Sequence, residues 1–269
     1  MNATSQRIWF NQIEATVDLI EHPLGSTAVF SEQNPTSMSD NQDASGYFSV
    51  NQHSLVMAVV DGMGGAACGG QAAQTIINTL SEHLNPIENH DALRTAVLDA
   101  IEDANQRILQ WGVGAGATLV VAIVTGDIAR IVHVGDAEAL LCSNRGRVKF
   151  STISHAPVAM ALEIGVIDEL SAIQHDERNI INNFVGSREM RIEIGPQLKL
   201  GKFDTLLLAT DGLFDNLLTN EIVDTIRCGK LNRRSFQLLE MARQRMRGEH
   251  LVNQGKPDDL TVLMFSRGN

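Results

Sequence analysis

Short apolar runs rich in β-branched residues constrain the fold of this chain most, because each one predicts a β-strand. The runs cover residues 54–60, 117–124, 128–134, 138–143, 205–210 and 260–266. Gly126-Asp127 and Asn144-Arg145-Gly146 separate neighbouring runs and are typical of hairpin turns. The middle of the chain is therefore predicted to be antiparallel.

Helical periodicity fills the long intervals between clusters of runs. Two amphipathic patterns, at roughly 70–84 and 91–111, separate the first two runs, and a third covers 233–247. Strands in clusters with long helices between the clusters predict α+β layers and not an alternating βαβ sheet.

The composition is compatible with one large domain. The chain has 269 residues, of which 43% are hydrophobic, and no Pro/Gly/Ser-rich linker divides it, so residues 1–269 are expected to form a single domain. No signal-peptide pattern and no apolar run long enough to cross a bilayer is present in the sequence, and no membrane partner is expected. Cys68, Cys142 and Cys228 are widely separated and odd in number, which indicates reduced thiols and a cytoplasmic location.

The net charge is −11, from 21 basic and 32 acidic residues. Binding of nucleic acid through a basic face is therefore not expected. Such acidity either serves solubility or neutralises bound cations, and the positions of the carboxylates bear on that choice.

Aspartates stand at the ends of the predicted strands. Asp61, Asp136 and Asp211 follow apolar runs, Asp258-Asp259 precede the last run, and Asp43 precedes another possible strand. A single aspartate in such a place usually caps a turn or helix. Several at one edge of packed sheets would repel one another and have raised pKa values unless a cation compensates. Without a Cys/His set, all-oxygen ligands favour Mg²⁺ or Mn²⁺ over zinc.

Five ordered segments make this pattern specific. They read "VVDGMGG", "GATLVVAIV", "HVGDAEALL", "LLLATDGLFDNL" and "DDLTVLMF", and "DNQDA" and "HDERNIINNFVG" accompany them. Together they resemble the metal-dependent protein phosphatase family, the 2C-type Ser/Thr phosphatases of bacterial type, from about residue 40 to residue 265. The resemblance implies a four-layer αββα sandwich, in which two central antiparallel β-sheets are flanked by helices.

The resemblance also implies an activity and its residues. It implies hydrolysis of phosphoserine and phosphothreonine in proteins by a hydroxide that bridges two Mg²⁺ or Mn²⁺ ions, with a third ion in many bacterial members. It implies a phosphorylated protein substrate, of a cognate Ser/Thr kinase. Carried over to this chain, the catalytic residues are Asp43, Asp61 and Asp211. The implied metal ligands are Asp43, Asp61, the Gly62 carbonyl, Asp136, Asp211 and Asp258. Gly64, Gly65, Gly69 and Gly70 are expected to let the backbone lie close to the ions.

The chain departs from the family pattern at several positions. Met38 stands where a phosphate-binding arginine is expected, and Gln42 replaces an acidic residue. Asp259 occupies a place often held by asparagine, so that Asp258 is the better match for the ligand. The segment at about 163–197 corresponds to the family's flap, and Arg178, Arg188 or Arg191 within it is a weak candidate for the missing phosphate contact. His53, His133 and His155 are expected to be structural.

Two alternatives to the phosphatase remain open from sequence. One is a pseudophosphatase that keeps the fold and binds phosphoproteins without turnover, which the changes at Met38, Gln42 and Glu138 favour. The other is a phosphatase of anti-sigma-factor antagonists. A cysteine nucleophile in a CX5R loop is disfavoured, since "CGKLNRR" at 228–234 lacks the glycines of a phosphate cradle and is predicted to link two helices.

Overall fold

Two antiparallel six-stranded sheets pack face to face in the computed structural model, which describes residues 5–63, 68–85, 87, 89–249 and 255–267. The strands are β1 (Ser5–Phe10), β2 (Asp18–His22), β3 (Gly25–Glu32), β4 (Ala44–Asn51), β5 (Ser54–Met63), β6 (Gly116–Thr125), β7 (Ile128–Val134), β8 (Glu138–Cys142), β9 (Val148–Ser151), β10 (Glu193–Lys199), β11 (Thr205–Ala209) and β12 (Leu260–Ser266). The first sheet has the order β1-β4-β5-β6-β7-β10 and the second the order β2-β3-β12-β11-β8-β9.

Helices cover the outer faces of both sheets. They are α1 (Cys68–Leu84), α2 (Leu93–Leu109), α3 (Pro157–Glu163), α4 (Glu169–Ile173), α5 (Asp211–Phe214), α6 (Thr219–Ile226) and α7 (Leu231–Met246), and a 3₁₀ turn at His90–Ala92 precedes α2. Helices α1 and α2 share a core with the first sheet, whereas α5, α6 and α7 share a core with the second. The expected four-layer αββα sandwich is confirmed.

Burial on both faces explains the uninterrupted apolar run of β5. Val56, Ala58 and Val60 pack toward the helices, whereas the alternate residues Met57 and Val59 pack between the sheets. Because side chains alternate across a strand, a strand buried on both sides must be apolar at every position. The run therefore marks a central strand of the sandwich.

All six predicted strands are present, but β5 does not end at Asp61. It continues to Met63, since Asp61 pairs with Thr118 and Met63 with Gly116 on β6. Strands β1, β2, β3, β9 and β10 were not predicted from the apolar runs. Edge strands such as β9 and β10 carry mostly exposed residues, so they lack the apolar signal. Within the described residues, no helix has both the length and the apolarity that a bilayer crossing requires.

A substitution at Leu208 tests the core between the sheets, because this residue of β11 is fully buried there. We expect Leu208→Ala to lower the free energy of unfolding by about 2–5 kcal/mol, since a buried cavity forms. Urea denaturation measures this change. Leu170→Ala, at a 39% exposed position, is the matched control and should change stability by no more than about 0.5 kcal/mol. Equal losses in the two variants would contradict this description of the core.

Candidate metal centre

Aspartates from both sheets meet at one end of the sandwich. Asp43 directly precedes β4, whose first residue pairs near the end of β5, beside Asp61. In the second sheet, the end of β11 pairs with the start of β12, which brings Asp211 close to Asp258. Antiparallel pairing therefore places carboxylates that are far apart in sequence at a common edge.

The aspartate after β7 joins the same group. Asp136 is buried and lies close enough to Asp61 and Asp211 for their carboxylates to repel its own. All the predicted acidic site residues are thus brought together by the fold.

Two buried carboxylate oxygens in this group have no hydrogen-bond partner among the described residues. They are Oδ1 of Asp43 and Oδ1 of Asp136. The other oxygen of Asp43 accepts a hydrogen bond of 3.0 Å from the Thr210 hydroxyl, which fixes the carboxylate. Buried polar atoms are nearly always paired, so unpaired oxygens in a rigid carboxylate group indicate a missing partner of positive charge.

The pKa values of the aspartates reflect the same need for a cation. Burial, followed by repulsion from Asp211 and Asp43, raises the pKa of Asp61 well above its usual value. Burial, followed by repulsion from Asp259, also raises the pKa of Asp43 well above its usual value. For Asp136, burial, Asp211 and Asp215 raise the pKa to about 8. A divalent cation among these groups would favour their ionised forms.

Lys256 supplies positive charge within the group. Its Nζ lies 2.6 Å from Asp211 Oδ2, 2.9 Å from Asp215 Oδ2 and 3.1 Å from Asp258 Oδ2. Although burial opposes it, the attraction of these carboxylates raises the pKa of Lys256. The buried Asn216 fixes the Lys256 backbone, because it accepts from the Lys256 N–H and donates to the Lys256 carbonyl. Lys256 was not among the predicted site residues, although it stands only two positions before Asp258.

Asp258 and Asp259 have different roles. Asp258 faces Lys256, and burial followed by repulsion from Asp211 raises its pKa to about 6. Both oxygens of Asp259 instead accept backbone hydrogen bonds of 2.7 Å, one from Asn34 and one from Gln42. An asparagine could accept through only one oxygen, so the aspartate at this position anchors both ends of the loop that contains Met38.

Close backbone contacts explain the glycines of the opening loop. A Cβ on Gly62 would collide with the carbonyls of Gly69 and Gln42, and a Cβ on Gly69 would collide with the Gln42 side-chain oxygen. Gln42 therefore packs against the loop backbone next to Asp61. The predicted Gly64 and Gly65 lie outside the described residues.

The departures at the phosphate-binding position are visible in the structure. Met38 is fully exposed at the tip of its loop. Among the flap arginines, Arg188 and Arg191 are exposed, whereas Arg178 is half-buried with its Nε 3.9 Å from Asp215 Oδ2. Arg178 is thus the flap arginine that lies against the carboxylate group.

A cavity of about 320 Å³ opens beside the carboxylates, between the second sheet and the flap helices α3 and α4. Asp136, Glu138, Asp211, Asp215 and Arg178 line its polar side. Burial and then repulsion from Asp136 and Asp215 raise the pKa of Glu138 well above its usual value. Glu138 and Asp215 were not predicted as site residues. The spacing of Asp215, four positions after Asp211 and thus on the same helical face, is a signal that could have indicated it.

His155 connects the Asp136 turn to the flap. Its Nδ1 accepts hydrogen bonds of 2.9 Å from the Gly135 N–H and from the Asn183 amide, which leaves Nε2 to donate to Glu193 at 3.1 Å. His133 stacks on His155 with the ring centroids 4.7 Å apart. Both rings are engaged in structural contacts. His53 is exposed beside Gln52.

The residues at this end of the sandwich fit divalent metal ions of the Mg²⁺ or Mn²⁺ type. The described residues of the group offer unpaired carboxylate oxygens and a closely packed glycine backbone. They include no Cys or His, so the donor set consists of oxygen atoms. Asp61 from the first sheet and Asp211 and Asp258 from the second lie at this same end, where burial and then repulsion from Asp211 and Asp258 raise the pKa of Asp61.

Lys256 is expected to compete with metal ions for Asp211 and Asp258, because its ammonium already neutralises them. We expect Lys256→Met to bind Mn²⁺ roughly tenfold more tightly or better, since removing a nearby positive charge favours a cation by at least about 1.4 kcal/mol. Calorimetric titration measures this affinity. Lys199→Met, at an exposed position, is the matched control, and an unchanged or weaker affinity in Lys256→Met would contradict the competition.

The carboxylates also predict how the metal-free protein responds to pH. The folded-state pKa values of Asp136 (about 8) and of Asp215 and Asp258 (both about 6) lie above the usual aspartate value. The folded state then binds more protons, so the contribution of these groups to stability falls as pH rises from about 4 to about 8. We expect the Tm of the EDTA-treated protein to be higher at pH 6 than at pH 8. In Asp136→Asn this difference should shrink, and an equal or larger difference would count against it.

Known protein phosphatases resemble this chain in sequence and in fold. The serine/threonine phosphatase Stp of Listeria welshimeri is 26% identical over 238 residues, which cover 84% of this chain and 90% of that protein. The serine/threonine phosphatase of S. agalactiae superposes with a TM-score of 0.76 at 22% identity, covering 94% of this chain and 99% of the other. The catalytic domain of the phosphatase PstP, solved in complex with two manganese ions, superposes with a TM-score of 0.71 at 23% identity, covering 93% and 99%.

The family profile described as Protein phosphatase 2C matches residues 35–254. This match takes in every described aspartate of the carboxylate group except Asp258 and Asp259, which lie just beyond its end. On this match and on the fold, the chain belongs to the protein phosphatase 2C family.

Proposed function

We propose that this protein is a metal-dependent phosphatase that hydrolyses phosphoserine and phosphothreonine in other proteins. The observation that carries the proposal is the convergence of Asp43, Asp61, Asp136, Asp211 and Asp258 at one end of a 2C-type sandwich, with buried oxygens left unpaired. Family membership and the serine/threonine phosphatases among the relatives support the same reaction.

Asp61, Asp211 and Asp258, together with the Gly62 carbonyl, would hold two Mn²⁺ or Mg²⁺ ions, and Asp136 with Asp211 would hold a third. When bound, such ions supply an activated water nucleophile and positive charge for the phosphate oxygens. The two-manganese structure of PstP supports a dinuclear centre. Asp43, whose Oδ2 accepts a hydrogen bond from Thr210, would accept a proton from the attacking water at Oδ1, which has no hydrogen-bond partner among the described residues.

A positively charged side chain of the protein would also contact the substrate phosphate. Met38 offers no charge, so we propose that Arg178 takes over part of the expected phosphate contact from the flap side. Arg178 lines the cavity beside Asp211, and within the described part of the chain its Nε has no hydrogen-bond partner. A guanidinium can bind two phosphate oxygens at once, which suits this task.

The biological setting is proposed from the reaction. The substrate would be a phosphoprotein modified by a cognate Ser/Thr kinase, and the chain would act in the cytoplasm as one catalytic domain. The reduced cysteines support that location, since all three are free thiols.

Asp211→Asn tests the proposed reaction. We expect the wild-type protein with Mn²⁺ to release phosphate from a phosphothreonine peptide, and EDTA to abolish this release. Asp211→Asn should lower the rate about 100-fold or more, because it removes charge that both holds and orients the metal. Asp99→Asn, at an exposed position on α2, is the control and should keep the wild-type rate. Activity that survives both EDTA and Asp211→Asn would exclude the proposed mechanism.

The same assay addresses the pseudophosphatase. Mn²⁺ binding measured by calorimetry, without turnover of any phosphopeptide, would favour a binding module. The retained carboxylates oppose that alternative, since a module without catalysis would have no need for aspartates whose burial raises their pKa values.

A further inference from the structure

A second cavity, of about 610 Å³, lies at the opposite end of the second sheet from the carboxylate group. It opens between the loop that joins α6 to α7 and the outer strand β2. Arg234, which lines it, contacts Thr205 at the start of β11, whereas Asp211 follows the end of that strand. Asp211 stands six positions after Thr205, so at about 3.3 Å per residue of extended chain the two residues are roughly 20 Å apart. This cavity is therefore separate from the proposed metal centre.

The cavity is basic although the chain is acidic. Arg227, Lys230 and Arg234 line it, and Glu21 is the acidic residue in the lining. Glu21 accepts a hydrogen bond of 2.7 Å from Ser26, and Arg227 pairs with Asp224. In a chain of net charge −11, such a concentration of cations at one opening favours an anionic ligand.

Arg234 is buried without a carboxylate. The residue is 4% exposed, and its Nη1 donates to the Thr205 hydroxyl and to the Ile226 carbonyl. Its Nε has no hydrogen-bond partner among the residues that the structure describes. Among the described residues, none places a carboxylate within ion-pair distance of it. Burying an unpaired cation is costly, and the adjoining cavity is where an anion could compensate it.

The N-terminus of α7 opens on the same cavity. Lys230, Leu231 and Asn232 line the cavity at the first turn of this 16-residue helix, and the N-cap residue Lys230 makes no side-chain capping hydrogen bond. Free N–H groups and the helix dipole both favour an anion there. Two independent features, the uncapped helix start and the buried Arg234, thus converge on one opening.

We propose that this cavity binds a small organic anion. The ligand would have a phosphate-monoester or phosphonate head group and an apolar body. The anionic head would lie between Arg234, Lys230 and the first turn of α7. The apolar body would pack against Leu19, Phe203 and Leu231, which form part of the wall. The site is distinct from that of the proposed hydrolysis and does not depend on metal ions.

Cys228 provides a local reporter, because it is exposed and lines the cavity. Cys142 is buried, and burial raises its pKa to about 11, so it reacts slowly. In a Cys68→Ser background, the rate of alkylation by neutral iodoacetamide therefore reports on Cys228. The probe is phenylphosphonate, which no phosphatase hydrolyses at its carbon–phosphorus bond, added to the full-length metal-free protein.

We expect phenylphosphonate to slow this alkylation saturably, by about tenfold at ten times its Kd, since only the free protein reacts. Arg234→Lys, which replaces the forked guanidinium by a single ammonium, and Lys230→Gln, which removes a positive charge, should each weaken the protection at least about tenfold, a loss of about 1.4 kcal/mol. Arg233→Gln, at the neighbouring exposed arginine that does not line the cavity, should protect like the parent protein.

Two results would overturn the proposal. One is an alkylation rate that phenylphosphonate leaves unchanged up to the millimolar range. The other is equal protection in the parent and in Lys230→Gln, an exposed position whose substitution leaves the core intact. The metal-free protein keeps this test independent of the phosphatase reaction.

Discussion

Repulsion among carboxylates at one end of the sandwich is the constraint on which the functional architecture depends. The strand ends that carry Asp43, Asp61 and Asp211 are held by sheets whose cores lie elsewhere, in the three apolar layers. The packing free energy of those layers holds like charges together that would otherwise separate. The raised pKa values of Asp43, Asp61 and Asp136 are the electrostatic consequence.

The chain limits this repulsion with groups of its own. The ammonium of Lys256 pairs with the carboxylates of Asp211, Asp215 and Asp258 and offsets their negative charge. The backbone N–H groups of Asn34 and Gln42 donate hydrogen bonds to Asp259. Asp43 and Asp136 each keep an oxygen without a hydrogen-bond partner among the described residues. Both residues belong to the proposed metal site, and the repulsion left uncompensated there favours the binding of a cation.

The two ends of the second sheet differ in charge. One end carries the acidic group, and the other carries Arg234 beside the uncapped start of α7. Strand β11 joins them, since Thr205 contacts Arg234 and Asp211 follows Ala209. An acidic protein can therefore present a local basic opening without any net positive charge.

The sequence alone determined the strand core, the antiparallel middle and the family resemblance, because apolar runs, hairpin turns and ordered aspartate segments are local patterns. It indicated Asp43, Asp61, Asp136, Asp211 and Asp258 for the same reason, but it did not indicate Asp215. It missed edge strands such as β10, whose exposed residues carry no apolar signal. Only the tertiary structure decided that Lys256 lies among the carboxylates, that Asp259 binds the Met38 loop and that Arg234 is buried without an acid. Those roles depend on contacts between segments distant in sequence, such as Lys256 with Asp211 and Asp259 with Asn34, which only the packing of the two sheets brings together.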